Sequence, residues 1–182
     1  MGTLLWLFWI YSFLGYLLER AFAALTRSAR RTRRCFLVSP LCPVYGLGML
    51  AVLAAAPYLG RGWGLVLGGG LAATAVEYAV HWWYERVLGV RFWDYGTLPG
   101  NLRGRVCLPF SAAWGGLTAL AVVLLQPWVE SLSRSVPWAV TYGCLLAFTA
   151  DAWLSARRLL RTGDPEALRW AGPQGRAGSA SS

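Results

Sequence analysis

The sequence contains little charge for its length and no lysine at all. Only 14% of its 182 residues are charged, against about 25% in a typical soluble domain, and 57% are hydrophobic. So few charges cannot cover a water-facing surface of this size, and the high hydrophobicity excludes intrinsic disorder over most of the chain. Four cysteines are too sparse for a mini-protein stapled by disulfides. What remains is a small integral membrane protein, if the apolar residues occur in runs of about 20.

Five apolar runs of that kind are present. We predict membrane helices over residues 4–25, 41–59, 62–84, 107–128 and 136–156, and no strands, because the runs are long and lack strict alternation. Residues 86–106 form a polar segment, and residues 129–135 are interpreted as a short break. The predicted fold is an all-α, five-helix transmembrane bundle with a polar cytoplasmic loop between helices three and four. Its domains are a transmembrane helical unit, 4–156, and a basic, disordered cytoplasmic tail, 157–182.

The arginines predict the orientation of this bundle. Fourteen of the 17 lie on one side of it, within residues 27–34, 86–105 and 157–176, and two, Arg61 and Arg134, lie on the other. The positive-inside rule therefore predicts a multi-pass protein of the cell (plasma) membrane, with its N-terminus outside and its C-terminus in the cytoplasm. The arginines then face the anionic headgroups of the lipid bilayer. Nucleic acid is not an expected partner, because no nucleic-acid-binding motif accompanies the charge.

Acidic residues point to a polar cluster inside the bundle. Glu19, Glu77, Glu85 and Asp151 stand in or near predicted spans, where ionisable groups are costly and usually face a protein interior. Glu77, His81 and Glu85 are spaced at i, i+4 and i+8, so they share one face of the third helix. With the predicted orientation, the polar groups of all five helices gather at the cytoplasmic end, under the loop 86–106.

This cluster has two interpretations. It forms a vestibule for a substrate or an ion, or it consists of charge pairs that order the bundle. Pairing of Glu19 with Arg103 or Arg105, or of Glu77 with His81, would be examples of the second kind. Both interpretations stay open at the level of the sequence.

Cysteine and histidine do not follow a metal-binding pattern. Cys35 and Cys42 are seven residues apart and no C-x2-C pair occurs, so no metal or other cofactor is predicted. Cys42 and Cys107 begin helices two and four on the cytoplasmic side, which predicts reduced thiols. The glycines at 68–70 lie within a span without a following lysine, so they favour close helix contact over nucleotide binding. Without a catalytic motif we expect a non-enzymatic protein; an intramembrane enzyme that uses Glu77, His81 or Cys107 is an alternative.

Three blocks of the sequence resemble a known family. They are residues 11–19 (YSFLGYLLE), residues 34–46 (RCFL, then PLCPVYG) and residues 77–115 (Glu77-Tyr78, Glu85, WDY, Asn101, Gly104-Arg105 and Cys107-Leu108, continued by Phe110-Ser111 and Trp114-Gly115). An aspartate, Asp151, follows in the last helix. Over residues 8–156 the chain resembles the family described as Putative ABC-transporter type IV, the CmpB-like permeases. The resemblance implies a permease-like membrane subunit that works with a separate ATPase subunit. Five helices are few for a transport path in one chain, which implies a homo-oligomer or a partner subunit.

The permease hypothesis selects the candidate residues of a substrate or ion pathway. These are Glu19, Cys42, Tyr45, Glu77, His81, Glu85, Asp94, Asn101, Arg105, Cys107 and Asp151. A second hypothesis is an accessory or scaffolding membrane protein without transport activity. Its arginine-rich first loop and tail would hold lipids or a cytoplasmic partner.

Overall fold

A computed structural model describes residues 2–26 and 35–168, and over these residues the chain is helical without a β-strand. Its five helices are α1 (Gly2–Leu25), α2 (Pro43–Leu59), α3 (Trp63–Leu88), α4 (Leu108–Ser135) and α5 (Trp138–Thr162). The predicted all-α, five-helix architecture is therefore confirmed for the described residues. Residues 27–34 and 169–182, which hold seven of the arginines used for the orientation, lie outside the described residues.

Four of the helices, α1, α3, α4 and α5, have the length and apolar composition needed to cross a bilayer. The second helix, α2, has only 17 residues, or about 25 Å at 1.5 Å per residue. Pro43 occupies its first turn, where the missing N–H has no helical partner to lose. The helix stops before Gly60, whose φ of 67° lies in the left-handed region.

The predicted break at residues 129–135 is wrong, because α4 continues through them to Ser135. Polar side chains in this segment are satisfied on the helix itself: Ser133 Oγ donates to the Val129 carbonyl at 2.6 Å, and Arg134 pairs with Glu130. A π turn at Ala121–Leu125 precedes the proline at position 127, whose missing N–H interrupts the α-helical ladder. The helix ends at Ser135, and the next residue, Val136, is extended because a proline follows it.

The predicted start of a disordered tail at residue 157 is also wrong for the residues up to 168. α5 extends to Thr162, and Gly163 caps it with a φ of 62° and an N–H donated to the Leu159 carbonyl. A 3₁₀ turn, Pro165–Leu168, follows. Leu159 and Leu168 are buried in a small apolar core with the end of α3, so hydrophobic packing orders this segment.

Glycines set the distance between the packed helices. Successive helices α1 to α4 pack against their neighbours in antiparallel pairs. Gly15 of α1 lies against the Tyr45 ring of α2, and a Cβ at Gly70 of α3 would be 2.9 Å from the Gly115 Cα of α4. The expected close helix contact at the glycine run is thus found at Gly70.

One end of the bundle carries most of the described arginines. α1, α3 and α5 end there, and α2 and α4 begin there; we call it the arginine-rich end. An apolar core of α1, α2 and α4 residues lies toward the opposite end: Leu7, Tyr11, Met49, Ala121 and Val129. The buried polar side chains described next lie between this core and the arginine-rich end.

Candidate functional site

Glu77 is the most deeply buried carboxylate of the described chain, with 1% of its surface exposed. It lies on the face of α3 that also buries Gly70 and Ala73, so its carboxylate is directed into the contact with α4. Its Oε2 accepts a hydrogen bond from Trp114 Nε1 of α4 at 2.7 Å, and its Oε1 accepts one from the Tyr95 hydroxyl at 3.1 Å. Tyr95 comes from the loop between α3 and α4, so three separate elements meet at this carboxylate.

Glu19 of α1 lies close to the same place. It is 6% exposed and accepts a hydrogen bond from the Tyr45 hydroxyl at 2.6 Å. The Tyr45 ring packs on Trp114, with 5.0 Å between ring centroids. Tyr45 and Trp114 therefore connect the two buried carboxylates across α1, α2, α3 and α4. We call Glu19, Tyr45, Glu77, Tyr95 and Trp114 the carboxylate cluster.

His81 lies one helical turn after Glu77, closer to the arginine-rich end, and is 2% exposed. Its Nε2 is 2.9 Å from the Trp93 carbonyl oxygen, and the two rings pack edge to face at 5.0 Å. Its Nδ1 has no hydrogen-bond partner among the described residues. The Glu77–His81 pair considered from the sequence is therefore not formed, because the imidazole is directed to the loop and not to the carboxylate.

An arginine holds the loop to the end of α3. Arg105 donates from Nη2 and Nε to Glu85 Oε2, at 2.8 and 3.2 Å, and from Nη1 to the Tyr78 hydroxyl at 2.7 Å. Arg91 contacts the other Glu85 oxygen. The Glu85 carboxylate raises the pKa of Arg105 above its ordinary value, so the guanidinium stays charged. The pairing considered between Glu19 and Arg105 is wrong, since Arg105 is directed to Glu85 instead.

Asp94 and Asn101 shape the loop and do not contact the carboxylate cluster. Asp94 Oδ1 accepts from the Gly96 N–H at 2.8 Å, and its other oxygen is 3.7 Å from Arg91. Asn101 donates to the carbonyls of Gly96 and Leu98 and accepts from the Gly104 N–H. These bonds form the turns that place Tyr95 and Arg105 against α3.

The remaining candidates lie at the starts of α2 and α4 and on α5. Cys42 forms a disulfide with Cys35, so the prediction of a reduced thiol is wrong for Cys42. The chain between the two cysteines turns back, which leaves their Cα atoms 4.9 Å apart. Cys107 is free and 1% exposed. Asp151 of α5 accepts hydrogen bonds from the Ser39 N–H at 2.9 Å and the Val38 N–H at 3.2 Å.

Sequence reasoning missed three aromatic residues of the site. Trp114 and Tyr95 are donors to Glu77, and Tyr78 binds Arg105. Both Trp114 and Tyr95 lie within the blocks that resemble the family, which is the one signal that singles them out. Hydropathy does not separate them from the tryptophans and tyrosines of a membrane interface.

Comparison with known proteins identifies a family that the chain matches. The model of the family described as Putative ABC-transporter type IV matches residues 6–156, a range that contains the carboxylate cluster and every candidate residue named above. No curated protein and no solved structure matches the chain.

Proposed function

The chain belongs to the Putative ABC-transporter type IV family, and from that premise we propose that it is the membrane-spanning permease subunit of a transporter. In this proposal a separate ATPase subunit supplies the energy, as the description of the family as ABC transporters suggests. The role proposed for the chain is not enzymatic.

The carboxylate cluster is the observation that carries this proposal. An ionisable side chain within a membrane helix is costly, and where it occurs it commonly marks a path for an ion, a proton or a substrate. Glu19 and Glu77 both lie on helices apolar enough to cross a bilayer, and both are buried among donors from other helices. A negatively charged or protonatable site of this kind suits a cationic substrate or a coupling proton.

The distribution of arginine supports an orientation with the arginine-rich end in the cytoplasm and the N-terminus outside the plasma membrane. Of the described arginines outside the helix α1, seven are at the arginine-rich end and Arg61 and Arg134 are at the other. The carboxylate cluster then lies nearer to the side on which an ATPase would act. Apolar side chains of α5 such as Leu146 and Trp153 are exposed, and they provide surface for lipid or for a second copy of the chain.

Purification of the tagged chain from its native membrane tests the proposal. The chain is extracted in lipid nanodiscs, the bound proteins are identified, and ATP hydrolysis by the complex is measured. We expect a stoichiometric ATPase, and we expect Glu77→Gln to change the hydrolysis rate while the same amount of ATPase is bound. Glu130→Gln is the matched control, because Glu130 is a partly exposed carboxylate that pairs with Arg134 on the helix surface.

Two outcomes would count against the permease. A complex without an ATPase would support the accessory or scaffolding role. An ATPase whose activity is the same in wild type and in Glu77→Gln would leave the carboxylate cluster with a structural role only.

A further inference from the structure

Residues 35–42 form a short segment that ties three helices together at the arginine-rich end; we call it the strap. The N–H groups of Val38 and Ser39 donate to Asp151 of α5. At its end, the Cys42 N–H donates to the Ser12 carbonyl of α1 at 2.9 Å. Backbone N–H groups of the strap therefore hold it to both α5 and α1.

Aromatic packing joins the strap to α3. Phe36 stacks on Tyr84 with ring centroids 5.5 Å apart and an interplanar angle of 27°. A cavity of about 10 Å³ lies beside this stack and is lined in part by both cysteines and by Trp93. A cavity of this size accommodates about one water molecule, so the strap lies close against the bundle.

The disulfide closes the strap, and its two sulfurs differ in environment. Cys35 is partly exposed, whereas Cys42 is 4% exposed and lies at the N-terminus of α2. A helix N-terminus stabilises a thiolate, which makes Cys42 the better leaving group. An external thiol can therefore reach the Cys35 sulfur, and the Cys42 sulfur is the one that leaves.

The location of this disulfide is unusual for a purely structural bond. With the orientation proposed above, the arginine-rich end faces the cytoplasm, where thiols are kept reduced and disulfides that form are mostly transient or redox-sensing. We propose that Cys35–Cys42 is a thiol–disulfide exchange site for a small dithiol or glutathione, and that its reduction releases the strap from Asp151. The inference rests on the proposed orientation and not on transport.

The exchange proceeds in two balanced steps. A thiolate of the reductant attacks Cys35 Sγ, the bond between the two cysteine sulfurs breaks, and the Cys42 thiolate leaves and takes up a proton. A second thiol of the reductant attacks the mixed disulfide and frees Cys35, which also takes up a proton. The cysteine pair gains two electrons, and the reductant is oxidised to its own disulfide.

Release of the strap reaches the carboxylate cluster through α2. Cys42 is the residue before α2, and its carbonyl accepts the Tyr45 N–H at 3.0 Å. The Tyr45 hydroxyl in turn donates to Glu19. A change in the first turn of α2 therefore alters the position of a side chain that belongs to the cluster.

Sided vesicles and thiol counting test the exchange. Right-side-out and inside-out membrane vesicles with the full chain are treated with glutathione, denatured, and labelled with a maleimide polymer that shifts the mass once per free thiol. The oxidised chain carries two adducts, on Cys107 and Cys144, and the reduced chain carries four. We expect conversion from two to four adducts in inside-out vesicles only.

Hydrogen–deuterium exchange of residues 36–41 tests the release. The disulfide limits the conformations that the strap can adopt when it leaves Asp151, and reduction removes this limit. We therefore expect reduction to speed exchange of the Val38 and Ser39 amides by on the order of tenfold or more. The double variant Cys35→Ser, Cys42→Ser should exchange fast with and without glutathione. In the Asp151→Asn variant, residues 36–41 should exchange fast while the chain still carries two adducts. This variant distinguishes the effect of the hydrogen bonds to Asp151 from the effect of the disulfide.

Three results would overturn the proposal. Two adducts in both vesicle types would identify a structural disulfide, and conversion only in right-side-out vesicles would place the strap outside the cell. Four adducts with unchanged exchange of residues 36–41 would show that reduction does not release the strap. None of these measurements requires an ATPase or transport, so a failure here leaves the proposed function to its own test.

Discussion

Replacing Trp114 by phenylalanine tests whether the carboxylate cluster depends on direct donation to Glu77. The Trp114 indole donates to Glu77 at 2.7 Å; phenylalanine keeps a ring beside Tyr45 but has no donor. A typical hydrogen bond contributes about 0.5–1.5 kcal/mol net, and one to a charged group contributes about 1.5–3 kcal/mol. Because Tyr95 remains as a donor, we expect a loss of about 1.5 kcal/mol, where the two ranges meet. This loss corresponds to roughly a tenfold increase in the fraction of molecules in which this part of the bundle is open.

The Cys107 thiol reports this opening. It is free, 1% exposed and directly before α4, so its alkylation in detergent measures how often this part of the bundle opens. In a background with Cys144→Ala, Trp114→Phe should be alkylated roughly tenfold faster than the parent chain.

Trp128→Phe is the matched control for this measurement. It makes the same chemical change on the same helix, but Trp128 is 79% exposed. We expect its stability to stay within about 0.5 kcal/mol of the parent chain. Equal alkylation rates for the Trp114 and Trp128 variants would refute the reasoning, because donation to Glu77 would then contribute nothing measurable.

Two further predictions concern the contact between α3 and α4 and the loop that joins them. Gly70→Ala should lower stability by about 1–2 kcal/mol in thermal unfolding, because its Cβ would lie 2.9 Å from the Gly115 Cα. Gly116→Ala, with no atom within 4 Å of the added Cβ, should raise it by about 0.5–1 kcal/mol; equal shifts would contradict this. Arg105→Lys should speed hydrogen–deuterium exchange of residues 95–106, because an ammonium group cannot reproduce the forked contact with Glu85. Unchanged exchange in that variant would show that the fork does not hold the loop.

Hydrophobic run length predicts the helices well and their ends poorly. The five runs correspond to α1–α5 because about 20 apolar residues have few alternatives to a helix in a membrane. Polarity, however, does not end a helix: residues 129–135 are polar and yet helical, and α4 ends only before the proline at position 137. The segment 157–162 is basic, yet it stays helical since Leu159 finds a buried apolar contact.

Spacing along one helix predicts which side chains share a face, but not what they contact. Glu77 and His81 are one turn apart and are both buried, as expected for a shared face that is turned inward. Their partners come from α4 and from the loop, at separations of 37, 18 and 12 residues in sequence. No local pattern encodes such contacts, so the pairing of Glu77 with His81 and that of Glu19 with Arg105 are not the ones that form.

The sequence by itself determined that this chain is an all-helical membrane-type protein with acidic groups inside an apolar bundle. It could do so because a long apolar run forms a helix whatever the rest of the chain contacts. The tertiary structure decided which of those groups meet. It joined Glu19 to Glu77 through Tyr45 and Trp114, directed Arg105 to Glu85, and brought Cys35 to Cys42. These outcomes depend on glycine-mediated helix distances and on the turns of two loops, which arise only when the helices are packed together.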